Sequence, residues 1–271
     1  MRSKLHLETA LLPEGWRDDV VLTVEDGAIA SLGGQDGTPA ERVVGATIPG
    51  LPNLHSHAFQ CAMAGLTERR GSSADSFWTW REQMYRFVER LTPDDLEAIA
   101  AYAYMKMLEA GFTSVAEFHY LHQQPNGRPY DNPIEMSERI VAAAATANIG
   151  LTLLPVLYRQ SGFLGKAPAE TQRRFVTTRD GYARLMETKV PGGTIGIAPH
   201  SLRAVTLDDL AWAATTWLHV PAHIHISEQT AEVEQCLAAH AKRPVDLLMD
   251  TVDVDARWCL VHATHADEIG R

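Results

Sequence analysis

The first part of the chain alternates apolar and polar side chains in the manner of β-strands. Residues 4–12 and 19–23 are such runs, and Glu25-Asp26-Gly27 is a tight-turn signal before a third run at 28–32. No helical period is evident here. We therefore predict that residues 1–47 form a small β-sandwich-like layer of their own.

From residue 92 onwards the pattern changes to helices and strands in alternation. The clearest helix begins at Thr92-Pro93-Asp94-Asp95, where a capping threonine, an early proline and two acids oppose the positive end of the helix dipole. An apolar stripe follows from Leu96 to Leu108, and Gly111 ends it. Further helices are predicted at 133–148, 169–189, 207–218 and 230–241, and strands at 113–118, 150–157, 194–198, 220–226 and 258–261. The connection at 58–91, rich in arginine and aromatic residues, is predicted to be irregular and functional.

With the strand that ends at His55, the alternation makes six β/α units. Such alternation predicts the α/β class, with a parallel sheet covered by helices. Polar residues at the carboxyl ends of the strands favour a (β/α)8 TIM-type barrel over residues 48–271. An open doubly wound sheet is the alternative, although no strand is followed by a glycine-rich phosphate fingerprint. Because six strands do not close an eight-stranded barrel, we expect a barrel truncated after its sixth strand, whose remainder belongs to a longer gene product.

Composition and charge argue against several classes of protein. The net charge of −10 argues against a nucleic-acid partner. No apolar run approaches the about 18 residues of a membrane span, and the N-terminus does not resemble a signal peptide. The three cysteines, Cys61, Cys236 and Cys259, fit free thiols in a reducing compartment. We therefore expect a cytoplasmic protein that binds neither nucleic acid nor membrane.

Histidines at strand ends suggest a metal site. On an extended strand His55 and His57 present both imidazoles to one face, and neutral imidazole is a good ligand for zinc and related metals. A second pair, His223 and His225, precedes Glu228, and His262 ends the sixth strand. A pair of histidines satisfied by hydrogen bonds remains the alternative for each pair alone.

Three segments together resemble the signatures of a known family. They are 50–57 (GLPNLHSH), 223–228 (HIHISE) and 260–262 (LVH), which are similar to the amidohydrolase superfamily in its mononuclear aminohydrolase (deaminase) branch. Within that branch the segments 55–60, 77–81, 117–122 and 198–203 resemble the formimidoylglutamate deiminases of histidine degradation.

This resemblance implies hydrolysis of N-formimidoyl-L-glutamate to N-formyl-L-glutamate and ammonia. Two other readings stay open: an aminohydrolase of the same superfamily acting on a purine, pterin or triazine, and an inactive barrel or binding protein.

The resemblance also implies roles for individual residues. It makes His55, His57 and His225 ligands of Zn²⁺, with iron as the other candidate metal. It makes Glu228 the proton shuttle and His262 the residue that orients the attacking water. The fourth ligand of the family, an aspartate ending the eighth strand, has no counterpart in this sequence, and Asp267 is a poor substitute.

The expected substrate is a small dicarboxylate, and planar guanidinium groups bind carboxylates in bidentate fashion. Arg81 and Arg203 are the candidates for this contact, with Gln60, Tyr120 and His200 as hydrogen-bonding neighbours. For Arg81 the alternative is a solvated arginine beside Glu82. A homodimer is expected, since the family is commonly dimeric.

Overall fold

A computed structural model describes residues 2–34, 37, 39–66 and 77–266, so Asp267 lies outside the described residues. The chain divides into two compact units, Met1–Leu51 and Pro52–Arg271. The proposed domain boundary after residue 47 stays a prediction.

The first unit is a four-stranded sheet in the order β3-β2-β1-β4. Its strands are β1 (Arg2–Leu12), β2 (Gly15–Glu25), β3 (Ala28–Gly33) and β4 (Glu41–Thr47). Asp26 and Gly27 join β2 to β3 with φ angles of 50° and 82°, which a two-residue type I′ hairpin turn requires. Leu7, Ala10 and Val20 form the core of this unit. The predicted strands and turn of residues 1–47 are confirmed.

The second unit is built on parallel strands whose order follows the chain. They are β5 (Leu51–Ser56), β6 (Phe112–His119), β7 (Gly150–Leu157), β8 (Thr194–Ile195), β9 (Ala198–Pro199), β10 (Ala222–Ile226) and β11 (Trp258–His262). One sheet has the order β5-β6-β7-β8 with β9 beside β7, and β10 pairs with β11. A parallel bridge between Ile197 and Ala222 connects the two groups. Among the described strands the order never reverses, whereas a doubly wound sheet has a reversal point.

Helices separate these strands along the chain. They are α1 (Phe77–Val88), α2 (Pro93–Glu109), α3 (Glu135–Ala147), α4 (Arg179–Leu185), α5 (Leu207–Thr216), α6 (Thr230–His240) and α7 (Pro244–Thr251). At the start of α2, Thr92 caps the helix, as the sequence predicts, and the Asp95 side chain returns a hydrogen bond to the Thr92 backbone, which makes a capping box. None of the described helices is long and apolar enough to cross a membrane.

Three sequence-based expectations are wrong in part. The region 58–91 contains a 3₁₀ turn at Ala58–Met63 and helix α1, whose Met84 and Val88 are buried. Within 169–189 a 3₁₀ turn occupies Glu170–Gln172 and an α-helix only Arg179–Leu185. Helix α7 was not predicted, although Pro244 at its first turn is a start signal.

Long-range hydrogen bonds explain why residues 173–178 are not helical. The backbone carbonyl of Arg174 accepts from the N–H groups of His122 and Gln123, and the N–H of Thr177 donates to the carbonyl of Tyr158. These contacts use backbone groups that a continuous helix would need for itself. Tertiary pairing therefore overrides a locally helical pattern.

The Arg174 side chain is itself a buried structural element, only 1% exposed. Its guanidinium donates to the carbonyl oxygens of Val88, Leu91 and Gln123, and to the Tyr130 hydroxyl. All four acceptors are uncharged oxygens, and burial lowers the pKa of the guanidinium. Arg174 thus ties the end of α1 to the loop after β6.

We predict that Arg174→Met lowers the free energy of unfolding by about 2–4 kcal/mol, because it leaves several buried carbonyls without donors. Urea denaturation followed by circular dichroism measures this change. Arg139→Met is the matched control: Arg139 pairs with Asp94, Glu97 and Glu135 at the surface, where solvent screens ion pairs, so its loss should change the free energy of unfolding much less. A larger loss from the Arg139 variant than from the Arg174 variant would contradict the prediction.

Candidate active site

Three histidines meet where β5 and β10 end. His55 Nε2 lies 3.1 Å from His57 Nε2 and 3.1 Å from His225 Nε2. The ligand atoms of the three rings all lie within 4.8 Å of one another. The structure therefore brings together the three residues predicted as metal ligands, although 170 positions separate the first from the last.

Backbone carbonyls determine which ring nitrogens can bind a metal. His57 Nδ1 is 2.9 Å from the carbonyl oxygen of Phe118, and His225 Nδ1 is 3.2 Å from that of His200. Because a carbonyl oxygen only accepts, both Nδ1 atoms carry the proton and both Nε2 atoms keep a lone pair. A proton on His55 Nε2 could satisfy only one of its two neighbours. A cation at the meeting point satisfies all three nitrogens, so this donor set fits a divalent metal.

Burial keeps these imidazoles neutral. It lowers the pKa of His55 to about 3, with the neighbouring His57 adding to the effect, and lowers the pKa of His57 to about 4. Burial likewise holds the pKa of His225 well below its ordinary value. A metal binds only the neutral imidazole, so the cluster is ready to bind without first losing protons.

Glu228 lies just beyond β10, beside the histidines. Ser227 has a φ of 50°, which turns the chain out of the strand before Glu228. One carboxylate oxygen of Glu228 is 3.3 Å from a guanidinium nitrogen of Arg203, and the other is 3.7 Å from His262 Nε2. The predicted proton shuttle and the predicted water-orienting histidine are thus neighbours.

Glu232 supports this group and was missed by the sequence analysis. It is 2% exposed, its carboxylate accepts the backbone N–H of Glu228 at 3.0 Å, and it lies 3.9 Å from Arg203. Burial raises the pKa of Glu232, and Arg203 opposes the rise. Its position in the first turn of α6, where acids commonly accept N–H groups preceding a helix, was the available signal.

All of the predicted substrate-binding side chains line one cavity with the histidines. The cavity has a volume of about 850 Å³. Its lining includes the predicted metal, catalytic and substrate-binding residues His55, His57, His225, Glu228, His262, Gln60, Arg81, Tyr120, His200 and Arg203. Cationic and polar side chains therefore face the same space as the imidazole nitrogens.

Hydrogen bonds order the polar wall of this cavity. Gln60 Nε2 donates to the Tyr120 hydroxyl at 2.7 Å, and that hydroxyl contacts the Met84 sulfur at 3.3 Å. Burial, followed by the charge of Arg203, holds the pKa of His200 well below its ordinary value. Arg203 already uses one guanidinium nitrogen on Glu228, while its buried Nε has no hydrogen-bond partner among the residues that the structure describes.

Comparisons with known proteins agree with this geometry. Residues 46–270 match the profile of the Amidohydrolase family, and residues 2–43 match that of the formimidoylglutamate deiminase HutF N-terminal domain. Over 98% of this chain the sequence is 50% identical to formimidoylglutamate deiminase of Pseudomonas aeruginosa, of which the match covers 60%. The chain thus spans about three fifths of the length of that relative.

Solved structures extend the comparison. An amidohydrolase from Brucella melitensis matches 99% of this chain and 61% of its own, with 50% identity and a TM-score of 0.93. An adenosine deaminase from Xanthomonas campestris, solved with bound zinc, shares the fold at 18% identity and a TM-score of 0.69, over 98% of this chain and 58% of its own. The matched profile, which covers most of the sequence, confirms the resemblance read from the histidine segments: the chain belongs to the amidohydrolase family.

Proposed function

We propose that this chain carries the metal site and substrate pocket of a deiminase that hydrolyses N-formimidoyl-L-glutamate to N-formyl-L-glutamate and ammonia, a step of histidine degradation. One observation carries the proposal. Three imidazole nitrogens share a cavity with two guanidinium groups, in a chain half identical to a formimidoylglutamate deiminase. Two cations near the metal suit a dicarboxylate better than an uncharged purine, pterin or triazine.

Zinc is the proposed metal, and iron is the second candidate because it uses similar ligands. Three imidazole ligands with an open fourth position are a known catalytic zinc arrangement, and the adenosine deaminase of the same fold was solved with zinc. When bound, the metal supplies a nucleophile at neutral pH, because it lowers the pKa of its water to about 7. His55, His57 and His225 would hold it.

Glu228 and His262 divide the proton transfers. Water adds to the formimino carbon, and the bond from that carbon to the terminal nitrogen breaks. Glu228 accepts the proton of the attacking water and delivers one to the nitrogen that leaves as ammonia. His262, whose Nε2 is 3.7 Å from Glu228, orients the water by a hydrogen bond. Arg203 fixes the carboxylate of Glu228 between these partners.

The substrate carboxylates are bound by the cationic wall. Arg81 contributes a guanidinium from α1, and Arg203 has a buried Nε–H to offer beside its contact with Glu228. Gln60, Tyr120 and His200 supply hydrogen bonds that orient the bound dianion. The overall negative charge of the protein makes these local cations the attractive feature of the pocket.

Three further points belong to the proposal. With the short strands β8 and β9 counted as one, the parallel strands correspond to six successive strands of a (β/α)8 barrel, which their chain-order arrangement supports. The enzyme is cytoplasmic. It forms a homodimer, and light scattering after gel filtration would test this oligomeric state.

We predict that a protein carrying this sequence, loaded with zinc, releases ammonia from N-formimidoyl-L-glutamate. Glu228→Gln should lower kcat by about 10²- to 10⁴-fold, because it removes the group that transfers the proton. Zinc content should stay unchanged. Glu234→Gln, at an exposed position of the helix α6 that follows Glu228, is the control and should keep full activity. Release of formamide instead of ammonia would show that the other carbon–nitrogen bond breaks, which would contradict the assigned chemistry.

A second prediction concerns substrate charge. Arg81→Met should lower kcat/KM for the dicarboxylate about 10- to 100-fold, mostly through KM, because it removes a charge-assisted contact. Arg86→Met, which changes an exposed arginine of the same helix, should leave both constants unchanged. Steady-state kinetics with the dicarboxylate and with an analogue lacking the side-chain carboxylate make the comparison. The loss should be smaller for the analogue, and an equal loss for both substrates would contradict a contact between Arg81 and the side-chain carboxylate.

A third prediction uses the metal-free protein. His57 binds a proton near pH 6.5 when unfolded but only near pH 4 when folded. Between these values the unfolded state binds more protons, so the free energy of unfolding falls as the pH falls, by up to about 1.4 kcal/mol per pH unit for this residue. His57→Gln should remove this contribution from the pH dependence, whereas the exposed His219→Gln should not.

Urea unfolding at several values between pH 4.5 and 7.5 measures both variants. Burial raises the pKa of Glu117 to about 7, so this carboxyl contributes with the opposite sign in the same window. The difference between variant and wild type, rather than the absolute slope, is therefore the test. Parallel curves for His57→Gln and wild type would contradict the prediction.

A further inference from the structure

A buried carboxylate holds the segment that carries the first two histidines. Glu117 in β6 is 1% exposed, and one of its oxygens accepts the backbone N–H of Ala58 at 2.7 Å. Ala58 directly follows His57 and begins the 3₁₀ turn after β5. The carboxylate therefore fixes the backbone at the residue next to a proposed metal ligand.

The next residue of β6 contacts the His57 side chain itself. The carbonyl of Phe118, the residue after Glu117, accepts the proton on His57 Nδ1 at 2.9 Å. The Phe118 ring packs among the three histidines, with centroid distances of 5.2 Å to His55, 5.4 Å to His57 and 4.5 Å to His225. Two adjacent residues of β6 therefore hold the peptide group that follows His57 and the imidazole ring of His57.

A carboxylate is an energetically unfavourable side chain to bury at this position. The Glu117 carboxylate is buried, and the side chains of Ser56 and Tyr104 also approach it as hydrogen-bond donors. Burying such groups costs free energy that an apolar side chain of similar size would not. The hydrogen bond to the backbone of Ala58, at 2.7 Å, lies one residue from the metal cluster.

We propose that Glu117 is a positioning residue of the metal site: it fixes the backbone at Ala58 and thereby directs His57 Nε2 towards the point shared with His55 and His225. The inference rests on the proposed metal site and assigns no chemical step to Glu117. Partners that orient metal ligands typically change metal affinity 10- to 100-fold when removed. A merely structural role would change stability and leave metal affinity unchanged.

The test compares zinc affinity across a set of variants of the full chain. Glu117→Met removes the acceptor at similar volume, and Glu117→Gln keeps an oxygen that can accept from Ala58. Arg174→Met is the control for lost stability, because its contacts are to residues outside the histidine cluster. Competition with a chelating dye measures the zinc dissociation constant under conditions where each variant is folded, and the visible spectrum of bound Co²⁺ reports the ligand geometry.

We expect zinc to bind 10- to 100-fold more weakly to Glu117→Met, with an altered Co²⁺ spectrum, and within about threefold of wild type to Glu117→Gln and Arg174→Met. If Glu117→Met does not fold, Glu117→Asp is used instead, because its shorter side chain draws the carboxylate away from Ala58; the same weakening is expected. Wild-type affinity in these acceptor-deficient variants would overturn the inference and leave the proposed function standing. Absence of zinc binding by the wild type would overturn both.

Discussion

The site depends on holding three imidazole nitrogens, all without protons, at one point inside a protein. Lone pairs about 3 Å apart repel, and nothing in the rings themselves favours their meeting. The carbonyls of Phe118 and His200 remove the alternative tautomer in two of the rings, and burial removes the protonated form. The folded chain therefore holds the three nitrogens in an arrangement that is unfavourable without a metal and that a divalent cation would stabilise. If the cluster holds the proposed metal, folding and metal binding are coupled, as in other sites whose ligands must be deprotonated.

A second constraint follows from placing a carboxylate beside this cluster. Glu228 must be close enough to exchange protons with a bound molecule, yet it must not occupy the position that the metal needs. Arg203 holds it from one side and the buried Glu232 fixes its backbone from the other. The same guanidinium is proposed to attract the substrate dianion, so Arg203 links substrate binding to the position of the proton shuttle. This double use explains why an arginine, with five donors in a fixed plane, suits the position better than a lysine.

How far the sequence predicts the structure depends on the range of the interactions. Local patterns predicted β1 to β3, helix α2 with its capping threonine, and the strand ends carrying His55, His225 and His262, because period, caps and turns depend on neighbouring residues. Residues 173–178 were misjudged because their backbone pairs with His122 and Tyr158, contacts that no local pattern encodes. The carbonyls that orient the rings carry no side-chain signal at all. Glu117 and Glu232 look like ordinary acids until burial shows otherwise.

The proposed metal ligands and the proposed substrate-binding residues lie in different parts of the fold. Of the proposed ligands, His225 lies in the fully buried strand β10, and the ring of His57 is fixed by the carbonyl of Phe118 at the buried end of β6. The residues proposed to bind the substrate come from helix α1, from the 3₁₀ turn after β5 and from the segments that follow β6 and β9. Relatives in this family can thus keep one metal geometry while varying the pocket wall. The proposed preference for an acidic substrate therefore depends on the guanidinium groups of Arg81 and Arg203 rather than on the histidines.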